Sequence, residues 1–285
     1  MPAIFDSDCY SPREIAERVE TVGVIKANLP LLSQVALGVL AGGFIGLGAL
    51  YFTLVASDAS LGFAAQRVLG GVVFSLGLVL VVVAGAELFT GNNLLVMACV
   101  SRRISAGKLV QNLVVIFLAN LVGAMGLALL VAWSGQWKMD VGGVGRTSIA
   151  IAAAKCALPF WEAFFKAVLC NVLVCLAVWV AMAGRNVTDK ILAIVFPISA
   201  FVACGLEHSV ANMYFIPLGL FLQNGVTGAL TWSGFLHNLV PVTLGNIAGG
   251  AGMVGLVYWV IYRRGERSTS GEAAHPQENG KPNTP

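Results

Sequence analysis

Apolar residues run in six stretches of membrane-spanning length, at 31–55, 68–100, 110–133, 160–182, 191–222 and 240–262, separated by short polar segments. One helical crossing needs about 20 apolar residues, so the second and fifth stretches are too long for a single straight span. Both carry polar or helix-disfavouring residues in their middles, Gly85, Glu87 and Asn92 in one and Gly205, Glu207, Asn212 and Pro217 in the other. This pattern predicts six transmembrane helices of which the second and fifth are broken. A break is tolerated at membrane depth only where its freed backbone groups face protein or a water-filled cavity.

The two breaks share a spelling. Gly85-Ala86-Glu87-Leu88-Phe89-Thr90-Gly91-Asn92 and Gly205-Leu206-Glu207-His208-Ser209-Val210-Ala211-Asn212 both read G-x-E-x4-N, at an offset of 120 residues. A second set recurs at an offset of 126: Gln111-Asn112-Leu113-Val114, Asn120, Gly126 and Trp133 match His237-Asn238-Leu239-Val240, Asn246, Gly252 and Trp259. Two halves of three spans follow, about 31–134 and 160–263. Three is odd, so the halves cross the membrane in opposite senses. Inverted repeats of this kind place their site near the midplane, where discontinuous helices meet. Carboxylates and amides at that depth are expensive unless they line a path or find partners.

Composition agrees: 58% of residues are hydrophobic and 11% charged, against about 25% charged in soluble domains. The first thirty residues hold Asp6, Asp8 and Glu14 and lack a basic segment followed by a short apolar core, so no cleaved leader is expected. Arg13, Arg18 and Lys26, then Arg102, Arg103 and Lys108, then Arg185 and Lys190, and finally Arg263, Arg264 and Arg267 flank alternate ends of the spans. The opposite loops hold only Arg67, Lys138, Arg146 and Lys155, with Lys166 just inside the fourth stretch. The bias predicts a multi-pass protein of the inner (cytoplasmic) membrane with both termini in the cytoplasm.

The ends read differently from the spans. Residues 1–30 contain Ser11-Pro12-Arg13-Glu14, a capping box with proline at the first helical position, followed by Ile15, Val19 and Val22 on one face. A short amphipathic cytoplasmic helix is expected, either a gate or a surface anchor. Residues 264–285 are polar and Pro/Gly-rich, the composition of a disordered tail, with His275 a bystander. The net charge of +3 is too small and dispersed for a nucleic-acid partner. Cys9, Cys99, Cys156, Cys170, Cys175 and Cys204 form no CxxC pair and no metal-ligand spacing, so they read as small buried hydrophobes, and neither metal nor cofactor is expected. Small-xxx-small spacing at Gly38, Gly42 and Gly46, and at Gly245 and Gly249, predicts close helix packing. Ser233-Gly234 lacks the leading glycine of an intramembrane protease nucleophile, and neither Asn92 nor Asn212 precedes the proline of a water-channel motif. An enzyme is not expected.

The run Ala84–Gly91 and the run Gly205–Met213 resemble the two signatures of the formate/nitrite transporter family. Cys170-Asn171-Val172-Leu173-Val174-Cys175 and Asn238-Leu239-Val240-Pro241 resemble its fourth and sixth helices, and the likeness extends from about residue 17 to 262. The resemblance implies an all-α, aquaporin-like protomer assembled as a homopentamer in the bilayer, with one path per protomer for small monovalent anions such as formate or nitrite, together with protons. It implies that His208 lies at the centre of the path with Thr90, Asn171 and Glu207. Apolar constrictions would come from Phe74, Leu78, Leu88, Phe89, Val174 and Phe201, and vestibule charge from Lys155 and Lys166.

Several roles stay open at this level. An isolated charge in a low-dielectric slit costs several kcal/mol, so neutralising the anion eases passage. His208 would either supply the proton or remain neutral among Phe and Leu and donate a hydrogen bond. Glu87 and Glu207 would carry protons or accept hydrogen bonds from backbone N–H groups freed at the breaks. Thr90 would bond substrate or cap its helix, and Lys166 would serve the vestibule or pair with Glu162. His237 reads as an interfacial residue. Formate is the expected substrate, with nitrite or hydrosulfide transport, or an acid-gated anion channel without proton coupling, as alternatives.

Overall fold

The computed structural model describes residues 9–225 and 228–265. Ten helices account for the architecture: α1 Pro12–Ala27, α2 Leu31–Ser57, α3 Phe63–Gly85, α4 Phe89–Val100, α5 Ala106–Ser134, α6 Gly143–Cys156, α7 Phe160–Ala181, α8 Val187–Ala203, α9 Ser209–Leu222 and α10 Trp232–Tyr262. No strand occurs among the described residues. Helices α2, α3, α5, α7 and α10 are each long and apolar enough to cross a membrane. The sixth crossing is shared by α8 and α9, of 17 and 14 residues, as the second is by α3 and α4.

Local chemistry explains the starts and the breaks. In α1 the Ser11 N–H donates to Glu14 Oε2 at 2.7 Å while the Glu14 N–H donates to Ser11 Oγ at 3.4 Å. Asn186 and Asp189 make the same reciprocal cap on α8. Helix α3 loosens into π geometry over Leu80–Gly85 and ends on Gly85 at φ 88°, and α8 ends on Gly205 at φ 68°. Both glycines hold the left-handed conformation that turns a helix off its axis.

The two halves correspond element by element in chain order, α1–α5 to α6–α10. The sequence did not announce α6: its 14 residues fall in what reads as a loop, and they form the counterpart of α1. Helices pair where glycine removes a side chain. A Cβ on Gly123 would lie 1.9 Å from the Val39 carbonyl, and one on Gly249 would lie 2.2 Å from the Val168 carbonyl. Thus α5 touches α2 and α10 touches α7 backbone to backbone, the packing that substitutes for hydrophobic drive in lipid.

Polarity is reversed relative to a soluble protein. Asn112, Asn120, Asn171, Asn212, Asn238 and Asn246 are all buried, whereas Val122, Leu130 and Phe196 face outward. One expectation needs correction. Cys9 and Cys204 are exposed and Cys99 is half-buried, so only Cys156, Cys170 and Cys175 are buried hydrophobes. The tail expected from residue 264 lies, from 266 onward, outside the described residues, and His275 with it.

Candidate functional site

The breaks after α3 and α8 bring two short loops, Ala86–Leu88 and Leu206–His208, to the middle of the bundle, each feeding the N-terminus of a half-helix. The first N–H groups of a helix have no intrahelical partner, and here asparagine side chains from the neighbouring long helices take them. Phe89 N–H donates to Asn120 Oδ1 and Ser209 N–H to Asn246 Oδ1, both at 2.9 Å. The same asparagines donate back, Asn120 to the Gly38 and Glu87 carbonyls at 2.7 and 2.9 Å, Asn246 to the Ala167 and Glu207 carbonyls at 2.9 and 3.1 Å. Each break is thus pinned to two other helices by one amide.

The glutamates therefore do not take the Phe89 and Ser209 N–H groups freed at the breaks, one of the two roles that the sequence offers for them. Glu87 accepts from Asn92 Nδ2 at 2.7 Å and faces Lys26 Nζ at 3.2 Å. Glu207 accepts from Asn212 Nδ2 at 2.6 Å and from Lys155 Nζ at 2.8 Å. Asn92 and Asn212 extend the chain to Asn112 and Asn238. Two equivalent Lys–Glu–Asn–Asn networks result, one at each end of the molecule. Buried charge is tolerable only when paired and hydrogen-bonded in this way.

At the centre the symmetry ends. Leu88 and His208 stand at equivalent positions, and so do Thr90 and Val210. His208, 2% exposed, caps α9 by accepting the Ala211 N–H at Nδ1 (3.1 Å), and its Nε2 lies 2.9 Å from Thr90 Oγ1. With Nδ1 occupied as an acceptor, a neutral ring carries its proton on Nε2 and donates it to Thr90. The Thr90 hydroxyl proton is then free to donate onward. Charging the ring would place a second N–H against that of Ala211. The Thr90 side chain does not cap its own helix, and its carbonyl accepts from Asn93, Asn171 and Cys175.

Two cavities approach this centre from opposite ends. One of about 250 Å³ opens at the α6 end, with Phe74, Phe201, His208, Lys155 and Lys166 among its lining residues. The other, about 590 Å³, opens at the α1 end against Leu78, Leu88, Glu87 and Lys26. Phe74 and Phe201 meet edge to face at 5.6 Å, and Phe201 stacks on the His208 ring at 5.8 Å. Phe89 packs against Phe117 at 5.0 Å, turned toward α5, and it lines neither cavity; nor do Thr90, Asn171 and Val174, which are buried between the two. Lys166 both lines the cavity and pairs with Glu162 at 2.6 Å. His237 is exposed on α10.

Sequence reasoning passes over four contributors. Lys26 was counted only toward orientation, yet it is the partner of Glu87. Phe52 and Phe215 extend the aromatic rim, with Phe52 6.5 Å from the Phe74 ring and 5.8 Å from the Phe215 ring. Arg67 lines the smaller cavity. The legible signal for Lys26 is its place five residues before the first span, matched by Lys155 five residues before α7.

The sequence profile described as "Formate/nitrite transporter" matches residues 13–260. The formate channel FocA of Escherichia coli (strain K12) is 39% identical over 273 residues, covering 90% of this chain and 96% of that protein. A probable formate transporter of Methanothermobacter thermautotrophicus is 42% identical, with 90% and 98% covered, and the nitrite transporter NirC of Salmonella typhimurium is 38% identical, with 92% and 95% covered. Among solved structures, a pentameric formate channel with formate bound superposes with a TM-score of 0.75 at 35% identity, covering 81% of this chain and 97% of that one. With broken helices, buried amide clamps and a family match over nearly all of its described length, the chain belongs to the formate/nitrite transporter family of multi-pass membrane channels and transporters.

Proposed function

We propose that the protein conducts formate across the inner membrane through each protomer of a homopentamer. The transport unit spans 31–263, and the segments 1–30 and 264–285 face the cytoplasm together with the α1 end. The observation that carries this reading is the pair of cavities converging on His208 and Thr90 from opposite ends, each with a lysine at its mouth. Lys155 and Lys26 draw the anion in. The aromatic pair Phe74 and Phe201 on one side, and Leu78 and Leu88 on the other, exclude water and favour a neutral passing species. The buried Val174, Phe89 and Asn171 hold the wall between them, and Glu207 holds Lys155.

His208 serves as a fixed hydrogen-bond donor through Thr90. A neutral ring that gave up its Nε2 proton would become an imidazolate, so the proton accompanying formate comes from vestibule water. Nitrite is the second substrate: it shares the bent two-oxygen form, and NirC is 38% identical.

Labelled formate uptake into proteoliposomes over an external pH series tests the proposal. Wild-type flux rises on acidification; His208→Asn lowers the flux and keeps the pH profile. A mutant that loses the pH dependence overturns the donor role in favour of a relay through the ring. A wild type that moves no formate overturns the substrate.

A further inference from the structure

We infer that Arg67 forms an anion-capture subsite at the α6 mouth, selective for small anions with two coplanar oxygens. The inference deepens the proposed function and rests on it.

Three cations line the smaller cavity, and two are matched. Lys155 is paired with Glu207 at 2.8 Å and Lys166 with Glu162 at 2.6 Å. Arg67 has no carboxylate partner among the described residues. Its Nε donates to the Ala203 carbonyl at 2.9 Å and its Nη2 to the Val202 carbonyl at 2.6 Å. These are the last carbonyls of α8, the end at which a helix carries partial negative charge. The two bonds use the side-on edge of the guanidinium and fix its plane. Of its five N–H donors, the pair on the end-on edge, one from each Nη, has no protein acceptor among the described residues. A planar two-point donor is thereby held at the cavity wall, the geometry that receives a carboxylate or nitrite by both oxygens.

The arrangement belongs to one end only. Gly205, at φ 68°, comes so close that a Cβ there would lie 3.0 Å from Arg67 Nη2. At the equivalent Gly85, at φ 88°, a Cβ would meet nothing within 4 Å. The position in α8 that corresponds to Arg67 is Val187. The α1 mouth has no fork pinned to a helix end in this way: Arg18, which lines its larger cavity, lays its guanidinium 3.9 Å over the Tyr10 ring. Loading from the α6 side uses a site that loading from the α1 side lacks, so saturation differs between directions although net flux still follows the gradient.

The test compares wild type, Arg67→Gln and Arg67→Lys. Formate uptake from the α6 side is measured with nitrite or chloride as competitor, and binding of ¹³C-formate to purified protein is measured by saturation-transfer NMR. In Arg67→Gln, which loses the charge, half-saturation rises roughly tenfold, as expected for removal of a charge-assisted bond. Arg67→Lys retains the charge without the fork; half-saturation rises less, while the preference for nitrite over chloride collapses. Efflux loaded from the α1 side keeps its half-saturation in both variants. If both variants lower only the amount of folded protein or the maximal rate, with half-saturation and competitor preference unchanged, Arg67 is a helix cap and the inference falls. The NMR arm is independent of flux: Arg67-dependent binding in a protein that moves no formate would sink the proposed function and leave the subsite standing.

Discussion

Replacing Asn246 by alanine removes a single amide that holds the second helix break. Three hydrogen bonds disappear, to the Ser209 N–H and to the Ala167 and Glu207 carbonyls. Side-chain hydrogen bonds between membrane helices contribute about 0.6 kcal/mol each on average, so their direct loss costs roughly 2 kcal/mol. The Ser209 N–H, the first of α9, is buried with no other acceptor, and a stranded buried donor adds about 1–3 kcal/mol. The total is roughly 3–5 kcal/mol. Equilibrium unfolding in mixed micelles, followed by helical circular dichroism, measures it. Asn120→Ala, with its equivalent set of three bonds, should cost the same to within about 1 kcal/mol. Thr243→Val on the same helix is the control, because Thr243 Oγ1 is buried without a partner and its removal should be neutral or stabilising. An Asn246→Ala loss below about 1 kcal/mol, comparable to that control, would refute the view that these amides hold the breaks.

Further outcomes follow from the same contacts. Lys155→Met strands Glu207, 4% exposed, and should cost about 3 kcal/mol or more; Lys26→Met should cost less, because Lys26 is more exposed than Lys155 and lies farther from its glutamate, as chemical denaturation of the two variants will compare. Gly42→Ala drives a Cβ to 2.1 Å from the Asn120 carbonyl and should lower the melting temperature, whereas Gly43→Ala meets nothing within 4 Å and should not. Glu14 is held below its ordinary value of 4.5, first by the Ser11 hydroxyl and then by the Ser11 N–H, with Arg185 and Arg18 assisting. Because the folded value is the lower one, the contribution is complete above pH 4.5 and is lost as pH falls through the folded value. Hydrogen exchange of the first turn of α1 should rise only in that acid window, and Glu14→Gln should abolish the pH dependence.

Most of the transmembrane plan is legible in the sequence because lipid imposes a simple code. Long apolar runs report crossings, and glycine followed by glutamate inside such a run reports a break. Helix α6 escapes that code. It is too short to span and carries Arg146 and Lys155, so hydropathy describes it as a loop; only the register of Lys155 with Lys26 betrays a counterpart to α1. The partners of Glu87 and Glu207 were hidden for a different reason. Sequence shows which groups are left wanting at a helix break, but not which of several nearby side chains reaches them, and the long helices α5 and α10 deliver asparagine to the freed backbone donors where glutamate was expected.

The inverted repeat divides labour between positions that match and positions that do not. Glu87 and Glu207, Asn92 and Asn212, Asn112 and Asn238, Asn120 and Asn246, and Lys26 and Lys155 are identical across the halves, and all serve the paired networks that make a broken helix affordable in lipid. Leu88 against His208, Thr90 against Val210 and Val187 against Arg67 differ, and each lies at the centre or at a mouth. Equal networks at both ends give a frame in which a buried glutamate is held by a lysine on either side. A histidine supplied by one half and a threonine by the other meet because the two breaks face each other, so the central hydrogen bond can form only once both halves are docked. The path's chemistry is therefore a property of the interface between repeats, and a substitution that separates the breaks should silence it even with His208 and Thr90 intact.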